Sequence, residues 1–187
     1  MANRQKIDDN KITEEGSYFN EWYGYKSMGI ILNDAAMLDE NGNTIPVLTN
    51  NDKAGNIRYQ DIDGDGKITA SADRVRLGNS LSEMQYSGSL WAEWKGLDFN
   101  LSFQGVGHQL AYWNWPGTPF NYQAYACPVN LIESHWSPTA TDAENAKAKY
   151  PKLTTNSANI YAKSDFYIFN GAYMRIKNIT LGYTLPS

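Results

Sequence analysis

Asp61-Ile62-Asp63-Gly64-Asp65-Gly66-Lys67-Ile68 is the stretch of this 187-residue chain whose side chains are most clearly spaced for chemistry. Oxygen ligands at positions one, three and five, a glycine at six for a sharp turn and a backbone carbonyl at seven are what a Ca²⁺ ion asks of a loop that surrounds it with hard ligands. This is the first half of an EF-hand-type loop. At position twelve, where a bidentate carboxylate belongs, the chain has Ala72, and Asp73 follows one residue late. A one-residue bulge lets Asp73 close the site, with Thr69 at position nine offering an oxygen or a bound water. The candidate ligands for calcium are therefore Asp61, Asp63, Asp65, the carbonyl of Lys67, Thr69 and Asp73. The competing reading is an Asp/Gly-rich turn that holds no ion, at the cost of repulsion among close carboxylates. No helical pattern flanks the loop, since residues 55–60 and 75–79 look extended or turn-like. It reads as a free-standing loop that pins a corner.

A second group is aromatic. Tyr112, Trp113, Trp115, Phe120 and Tyr122 stand in a stretch from Gly105 to about Asp165 that has no clear periodicity. Segments of that length without regular structure are usually functional. These rings suit stacking on sugar or wedging against a partner, and equally a small core of the segment's own. Catalytic chemistry is not indicated. Glu83, Glu93, Asp98, Glu133, Asp142 and Glu144 sit in no recognisable catalytic arrangement of two carboxylates. His108 and His135 have no nucleophile in a known spacing and form no metal-spaced pair. No enzyme activity is expected.

These groups must be positioned by strands. From Met84 to Gln104 the chain alternates apolar and polar residues on both sides of Lys95-Gly96, which predicts a β-hairpin. Tyr86, Leu90, Ala92 and Trp94 share one face of the first arm; Leu97, Phe99, Leu101 and Phe103 share one face of the second, backed by Asp98, Asn100, Ser102 and Gln104. A soluble sandwich produces such alternation with its apolar side in the core. A transmembrane barrel produces it with the apolar side in lipid and the polar side in a wet lumen. Tyr86 and Trp94 stand eight residues apart, roughly 20 Å along the normal for a strand tilted by about 40°, close to the apolar band of such barrels. The hairpin alone leaves both readings open.

Composition narrows the field. No run of about 18 apolar residues exists and mean hydropathy is −0.55, which excludes a transmembrane helix and says nothing against barrel strands. Aromatics form 13% of the chain against 19% charged residues, a balance suited to an all-β surface. A net charge of −4 and no basic cluster exclude a nucleic-acid partner. The lone Cys127 excludes an internal disulfide and a cysteine metal site. Residues 1–6 contain no apolar signal region, so the chain reads as cytoplasmic or as an internal piece of something longer, and the strand pattern running up to Ser187 favours the second.

Along the rest of the chain, residues 1–16 are expected to be a loop or exposed end, and Tyr18 to Leu32 one strand or two short ones. Asn41-Gly42-Asn43 signals a turn, and Asp142 to Lys149 suits a short helix. Phe166 to Leu185 predicts two strands joined at Asn170-Gly171, with a change of parity near Lys177-Asn178 that a β-bulge would explain.

Several blocks, in order, then carry a resemblance. Asp61 to Ile68, Asp73-Arg74-Val75-Arg76-Leu77-Gly78-Asn79, Lys95-Gly96-Leu97-Asp98-Phe99 with Phe103-Gln104-Gly105-Val106-Gly107, and Gly171-Ala172-Tyr173-Met174-Arg175-Ile176-Lys177-Asn178-Ile179-Thr180-Leu181-Gly182-Tyr183 are similar to the C-terminal part of the SusC/RagA family of TonB-linked outer-membrane proteins. Tyr23 to Ile30 is similar to an upstream strand of that family. The resemblance implies an all-β fold of antiparallel strands forming part of a large transmembrane β-barrel. It implies residues 1–187 as a partial barrel of about six strands, with a loop region at 33–80 and a long extracellular loop at 105–165. It further implies an outer-membrane importer of oligosaccharides or peptides, a SusD-like surface lipoprotein as lid, TonB acting through a segment of the parent outside this chain, and outer-membrane lipid around the wall. With Lys95-Gly96 as a periplasmic turn, the calcium loop and the aromatic segment both lie outside the cell. The alternative to this expectation is a soluble, calcium-stabilised, carbohydrate-binding β-module.

Overall fold

The computed structural model describes residues 5–113, 128–154 and 158–185. Its strands are β1 (Lys6–Asp8), β2 (Lys11–Thr13), β3 (Glu21–Tyr25), β4 (Ser27–Ile30), β5 (Ile57–Tyr59), β6 (Arg74–Gly78), β7 (Met84–Trp94), β8 (Leu97–Gly107), β9 (Leu110–Tyr112), β10 (Ile168–Asn170) and β11 (Tyr173–Tyr183), with short helices α1 (Val129–Glu133) and α2 (Asp142–Asn145). All the strand pairs within these sheets are antiparallel. The expected all-β, antiparallel class is what the chain adopts.

Two regions divide the strands. The first is a long, bare sheet of order β11-β8-β7. The alternation of Met84 to Gln104 becomes an unbroken ladder from Met84 opposite Gly107 to Trp94 opposite Leu97. Lys95 at φ 49° and Gly96 at φ 83° make the two-residue turn between them, the positive φ pair whose twist matches the flanking strands. The end of β11 is tied to this turn, since Thr184 N donates to Gly96 O at 2.7 Å.

The expected bulge in the last strand is present. The β11–β8 register shifts between Ile176 and Asn178. Side chains alternate with a period of two, so one extra residue, Lys177, moves everything after it to the other face. Ile176 therefore lies opposite Phe103 and Ile179 opposite Leu101, on one apolar face. Without the extra residue, Ile179, Leu181 and Tyr183 would project among the polar residues. Aromatic rings cover the glycines of this face: a Cβ at Gly88 would stand 2.8 Å from Phe103 Cζ, and one at Gly105 would strike the Tyr86 ring. Tyr86 also donates its hydroxyl to Tyr173 O at 3.3 Å, so one side chain spans all three strands.

The second region is a body with its own core. It holds a sheet of order β1-β2-β3-β6 and the pairs β4-β5 and β9-β10. Tyr25, Ile57, Tyr59, Ile68, Leu131, Ile160 and Tyr167 form its buried centre. Residues 5–16, expected to be loop, instead form the β1-β2 hairpin. Asp9 takes φ 51° at its turn and Ile12 is buried at 2% exposure, the reason the hairpin is held down. Tyr18 to Leu32 resolves into two strands, β3 and β4, broken at Lys26. The strands flanking Asn170-Gly171 do not pair with each other: β10 joins β9 and β11 joins β8.

The segments 79–83, 108–109 and 171–172 join the two regions, and backbone hydrogen bonds lace them together. Glu83 N donates to His108 O at 3.3 Å, Leu110 N to Asn79 O at 3.2 Å and Gly171 N to Gln109 O at 2.8 Å. The long sheet therefore has a plain two-residue turn at one end and the whole body at the other.

Candidate functional site

The faces of the long sheet are its most informative feature. On one, Leu90, Leu101 and Ile179 are consecutive across the three strands, as are Ala92, Phe99 and Leu181, and Trp94, Leu97 and Tyr183. On the other, Ser89, Ser102 and Asn178 are consecutive, as are Ser87, Gln104 and Arg175. Among the described residues nothing covers the apolar rows. Leu90 is 58% exposed, Ile179 61% and Leu181 72%, values far from those of a packed core. Such a face is buried only against a non-aqueous surrounding that the described residues do not provide.

The acidic loop is an excursion from a ladder. Tyr59 pairs with Ser27 and Arg74 with Tyr25, while Gln60 N donates to Lys26 O at 2.9 Å, so residues 61–73 leave and rejoin at neighbouring rungs. Gly64 at φ 75° and Gly66 at φ 82° let the chain turn tightly there. Asp61 Oδ1 accepts from Gly64 N at 2.7 Å and its Oδ2 from Gly66 N at 2.8 Å; Asp65 Oδ1 accepts from Lys67 N at 2.8 Å. One carboxylate oxygen each of Asp61, Asp63 and Asp65 lies within a mutual 4.8 Å. Two oxygens on one Ca²⁺ lie at most twice the metal–oxygen distance apart, about 4.6–5.2 Å, so the three fit a single ion.

Asp73 is placed differently from the expected ligand. Its side chain is fully buried at the neck of the loop. Oδ1 accepts from Ile62 N at 2.7 Å and Oδ2 from Thr69 N at 2.6 Å, while Asp73 N donates to Thr69 O at 3.1 Å. Thr69 is engaged in this clamp, its Oγ1 accepting from Ala72 N at 3.3 Å. Desolvation raises the Asp73 carboxyl, but the amides of Thr69 and Ile62, the Thr69 hydroxyl and the Asp63 backbone outweigh it and hold the group below its ordinary range. For Asp63 the balance runs the other way. The Asp65 amide lowers it most, yet desolvation, the charges of Asp65 and Asp73 and the Asp61 carboxyl together raise it. Mutual repulsion is what a bound cation would relieve.

The aromatic candidates are divided. Trp115, Phe120 and Tyr122 lie outside the described residues. Tyr112 packs 5.5 Å from the Trp22 ring and 6.3 Å from Tyr167, and Trp113 meets Tyr150 edge-on at 6.0 Å, all against the body's core. Burial first, and the charge of Asp9 second, push the Tyr112 hydroxyl up to about 12. These two rings are half-buried against that core.

Other residues of the site come from no sequence pattern. Trp136 donates Nε1–H to Leu32 O at 2.8 Å and lies where a Cβ of Gly55, at φ 84°, would strike its ring, pinning residues 128–150 to the β4-β5 pair. Asn159 is buried and satisfied: Oδ1 accepts from Ile57 N at 2.8 Å, and Nδ2 donates to Asp52 Oδ2 and Ile57 O, each at 2.8 Å. An isolated Asn in a polar stretch gives no sign of this.

No profile of a known protein family matches the chain. Curated relatives do. TonB-dependent receptor P3 of Formosa agariphila is 26% identical over 181 residues, covering 94% of this chain and 16% of the relative. TonB-dependent receptors P26 and P39 of the same organism are 26% and 24% identical over 71% and 92% of this chain, and 13% and 19% of their own lengths. The chain thus spans less than a fifth of the curated relatives it matches. Among solved structures, the RagAB peptide importer in its open-open state aligns with a TM-score of 0.58 and 19% identity over 99% of this chain and 18% of that one. In sequence the chain is similar to TonB-dependent receptors over most of its length, and in fold it is similar to part of the RagAB importer.

Proposed function

We propose that the chain forms part of the wall and outer surface of a TonB-dependent importer for glycans or peptides in an outer membrane. The observation that carries this reading is the β11-β8-β7 sheet, apolar on one uncovered face and polar on the other, with strands of 11 residues and an extra residue that keeps the parity intact. In a barrel the apolar face meets lipid and the polar face a wet lumen. Short turns belong to the periplasmic side of such barrels and long connections to the outside. Lys95-Gly96 then faces the periplasm, and the body with the Asp61–Asp73 loop faces the medium.

The same reading gives the parent a surface lipoprotein as lid, after the SusC/RagA resemblance, and dependence on TonB through segments beyond this chain. RagAB, whose fold the chain shares, is a peptide importer, which supports peptides beside glycans as cargo. The loop holds calcium through Asp61, Asp63 and Asp65, with the Lys67 carbonyl in reach by its place in the pattern. Asp73 and Thr69 keep the neck closed around them. Extracellular calcium at millimolar levels fills even a weak site of this type.

The test is made in the full-length parent with spin labels or lipid-restricted photolabels at Phe99, Leu101 and Phe103, and at Asn100 and Ser102. Contact with acyl chains at the first three and with water at the other two is expected. Shielding of the three apolar positions from both lipid and water would place them in a protein core and sink the proposal.

A further inference from the structure

We infer that the hollow beside the β4-β5 pair, lined by Thr49, Asn51, Asp52 and Lys152, binds the carboxylate of a small organic acid, with the Lys152 ammonium and the Asn51 amide as its donors. The inference rests on the folded body alone and stands or falls independently of the barrel reading.

Lys152 is fixed in place by its backbone. Its N–H donates to Gly55 O at 2.9 Å, and its Cβ lies where a Cβ on Gly55 would collide with it. The side chain is half-buried and lines a cavity of about 230 Å³. A charge taken partly out of water is costly unless a partner replaces the lost hydration. Among the described residues Lys152 has no such partner. The ion pairs there are Arg76–Glu14, His108–Glu83 and Lys163–Asp9, and no hydrogen bond engages the Lys152 ammonium. Burial is accordingly the largest influence on this group and lowers its pKa; the charge of Asp52 opposes the shift in part, and that of Lys53 adds to it.

Asp52 lines the same cavity and is the obvious counter-ion, yet its carboxylate is already engaged. Oδ2 accepts from Leu48 N at 3.0 Å, Thr49 N at 3.1 Å and Asn159 Nδ2 at 2.8 Å, and Oδ1 from the Thr49 hydroxyl at 2.6 Å. A carboxylate has about four acceptor positions, and four donors occupy them here. No other acid of the chain fills the gap, since residues 1–4, 114–127, 155–157 and 186–187, those outside the described set, contain no Asp or Glu. The missing anion is therefore external to the chain. Its chemistry follows from the lining. Lys152 and Lys53 stand against Asp52, so one further negative charge balances the group, whereas a doubly charged phosphate would be repelled by Asp52. Asn51 is exposed, and its side-chain amide has no hydrogen-bond partner among the described residues. One ammonium donor and one amide donor match the two oxygens of a carboxylate. A hollow of this size admits a small molecule or a chain end, and a sugar acid and the C-terminus of a short peptide present the same group.

The experiment is competitive acylation of lysines in the full-length parent, read by mass spectrometry with the exposed Lys6 as internal reference. Glucuronate, N-acetylglycine, glucose and inorganic phosphate are added in turn at constant ionic strength. Either carboxylate is expected to slow acylation of Lys152 several-fold relative to Lys6, because the anion covers the amine and keeps it protonated; glucose and phosphate should not. The effective acid should also slow amide hydrogen exchange across residues 49–56 several-fold, and that slowing should vanish in Lys152→Met. Slowing by glucuronate alone makes the ligand a sugar acid, by N-acetylglycine alone a peptide terminus, and by both a carboxylate whatever its carrier; each supports the inference. No slowing by either acid overturns it, as do equal slowing by phosphate and exchange protection that survives in Lys152→Met. Acylation that is slow from the outset and indifferent to both acids means that the parent supplies the counter-ion, which overturns it as well.

Discussion

Leu101 in β8 faces Leu90 on one neighbour and Ile179 on the other, and both neighbours are more than half exposed. Ile57 in β5 faces Ile30 in its own pair and is 1% exposed in a cluster with Leu131 and Ile160, both fully buried. Both are aliphatic residues in antiparallel strands. The difference is where their surface goes: the body buries its own apolar residues, whereas the long sheet leaves them for a surrounding that the described residues do not supply. The body also satisfies buried polar groups inside itself, through Asn159, Asp52 and the phenols of Tyr59 and Tyr167, which donate to Asn159 O at 2.7 Å and Ile160 O at 2.6 Å. Burial raises both phenols well above the ordinary tyrosine range, so they stay protonated donors. The sheet has no such interior network among the described residues and is held by its ladder hydrogen bonds.

That contrast breaks most forcefully in the body. Leu131→Ala or Ile160→Ala should leave a cavity and cost about 2–5 kcal/mol, read as faster hydrogen exchange across β4, β5 and β10 in the full-length parent, with the heat-dependent gel migration of the barrel unchanged. If barrel migration changes in step, the two regions are one cooperative unit. In the sheet, Leu101→Arg should cost about 2–4 kcal/mol near the middle of a bilayer and Ser102→Arg very little, measured by unfolding of the parent from lipid vesicles. Equal costs at the two positions would mean that the faces are not opposed as lipid and water.

A smaller effect tests the neck of the acidic loop. Asp73→Ala leaves the amides of Ile62 and Thr69 without their charged acceptor and should cost about 1.5–3 kcal/mol, appearing as protease cleavage between residues 61 and 73 with the core intact. The same bonds set a pH dependence. The Asp73 carboxyl is depressed in the folded protein, so its contribution is fully present above the unfolded value of about 3.9 and is lost as pH falls through the lower folded value. Loop protection should be flat from neutral pH to about 5 and decline only in stronger acid; a decline centred near pH 6 would point to another group. Smallest is the expected response to metal removal. Chelation, or Asp63→Ala or Asp65→Ala, should speed proteolysis of residues 61–73 and leave the β11-β8-β7 sheet untouched. Indifference to all three would make the loop an ordinary turn.

The sequence by itself determined what depends on neighbours in the chain. Period-two alternation and the Lys95-Gly96 pair specify β7, the turn and β8 as far as Gln104, short of the strand's end at Gly107; the parity change at Lys177 specifies the bulge; and Asp61 to Gly66 specify a loop that gathers three carboxylates. Each is a local matter of backbone period, φ and side chains a few residues apart. Only the tertiary structure decided that β6 would return to β3 across the acidic loop and that Asn170-Gly171 would link separate sheets instead of closing a hairpin. It alone placed Trp136 under Gly55 and made Asp73 a neck clamp. These are contacts between residues made distant by loops, and their partners are chosen by which burial and hydrogen bonding offset the entropy of closing those loops. Short segments such as 6–13 carry too little periodicity to announce their pairing, and only the burial of Ile12 in the folded body holds them in register.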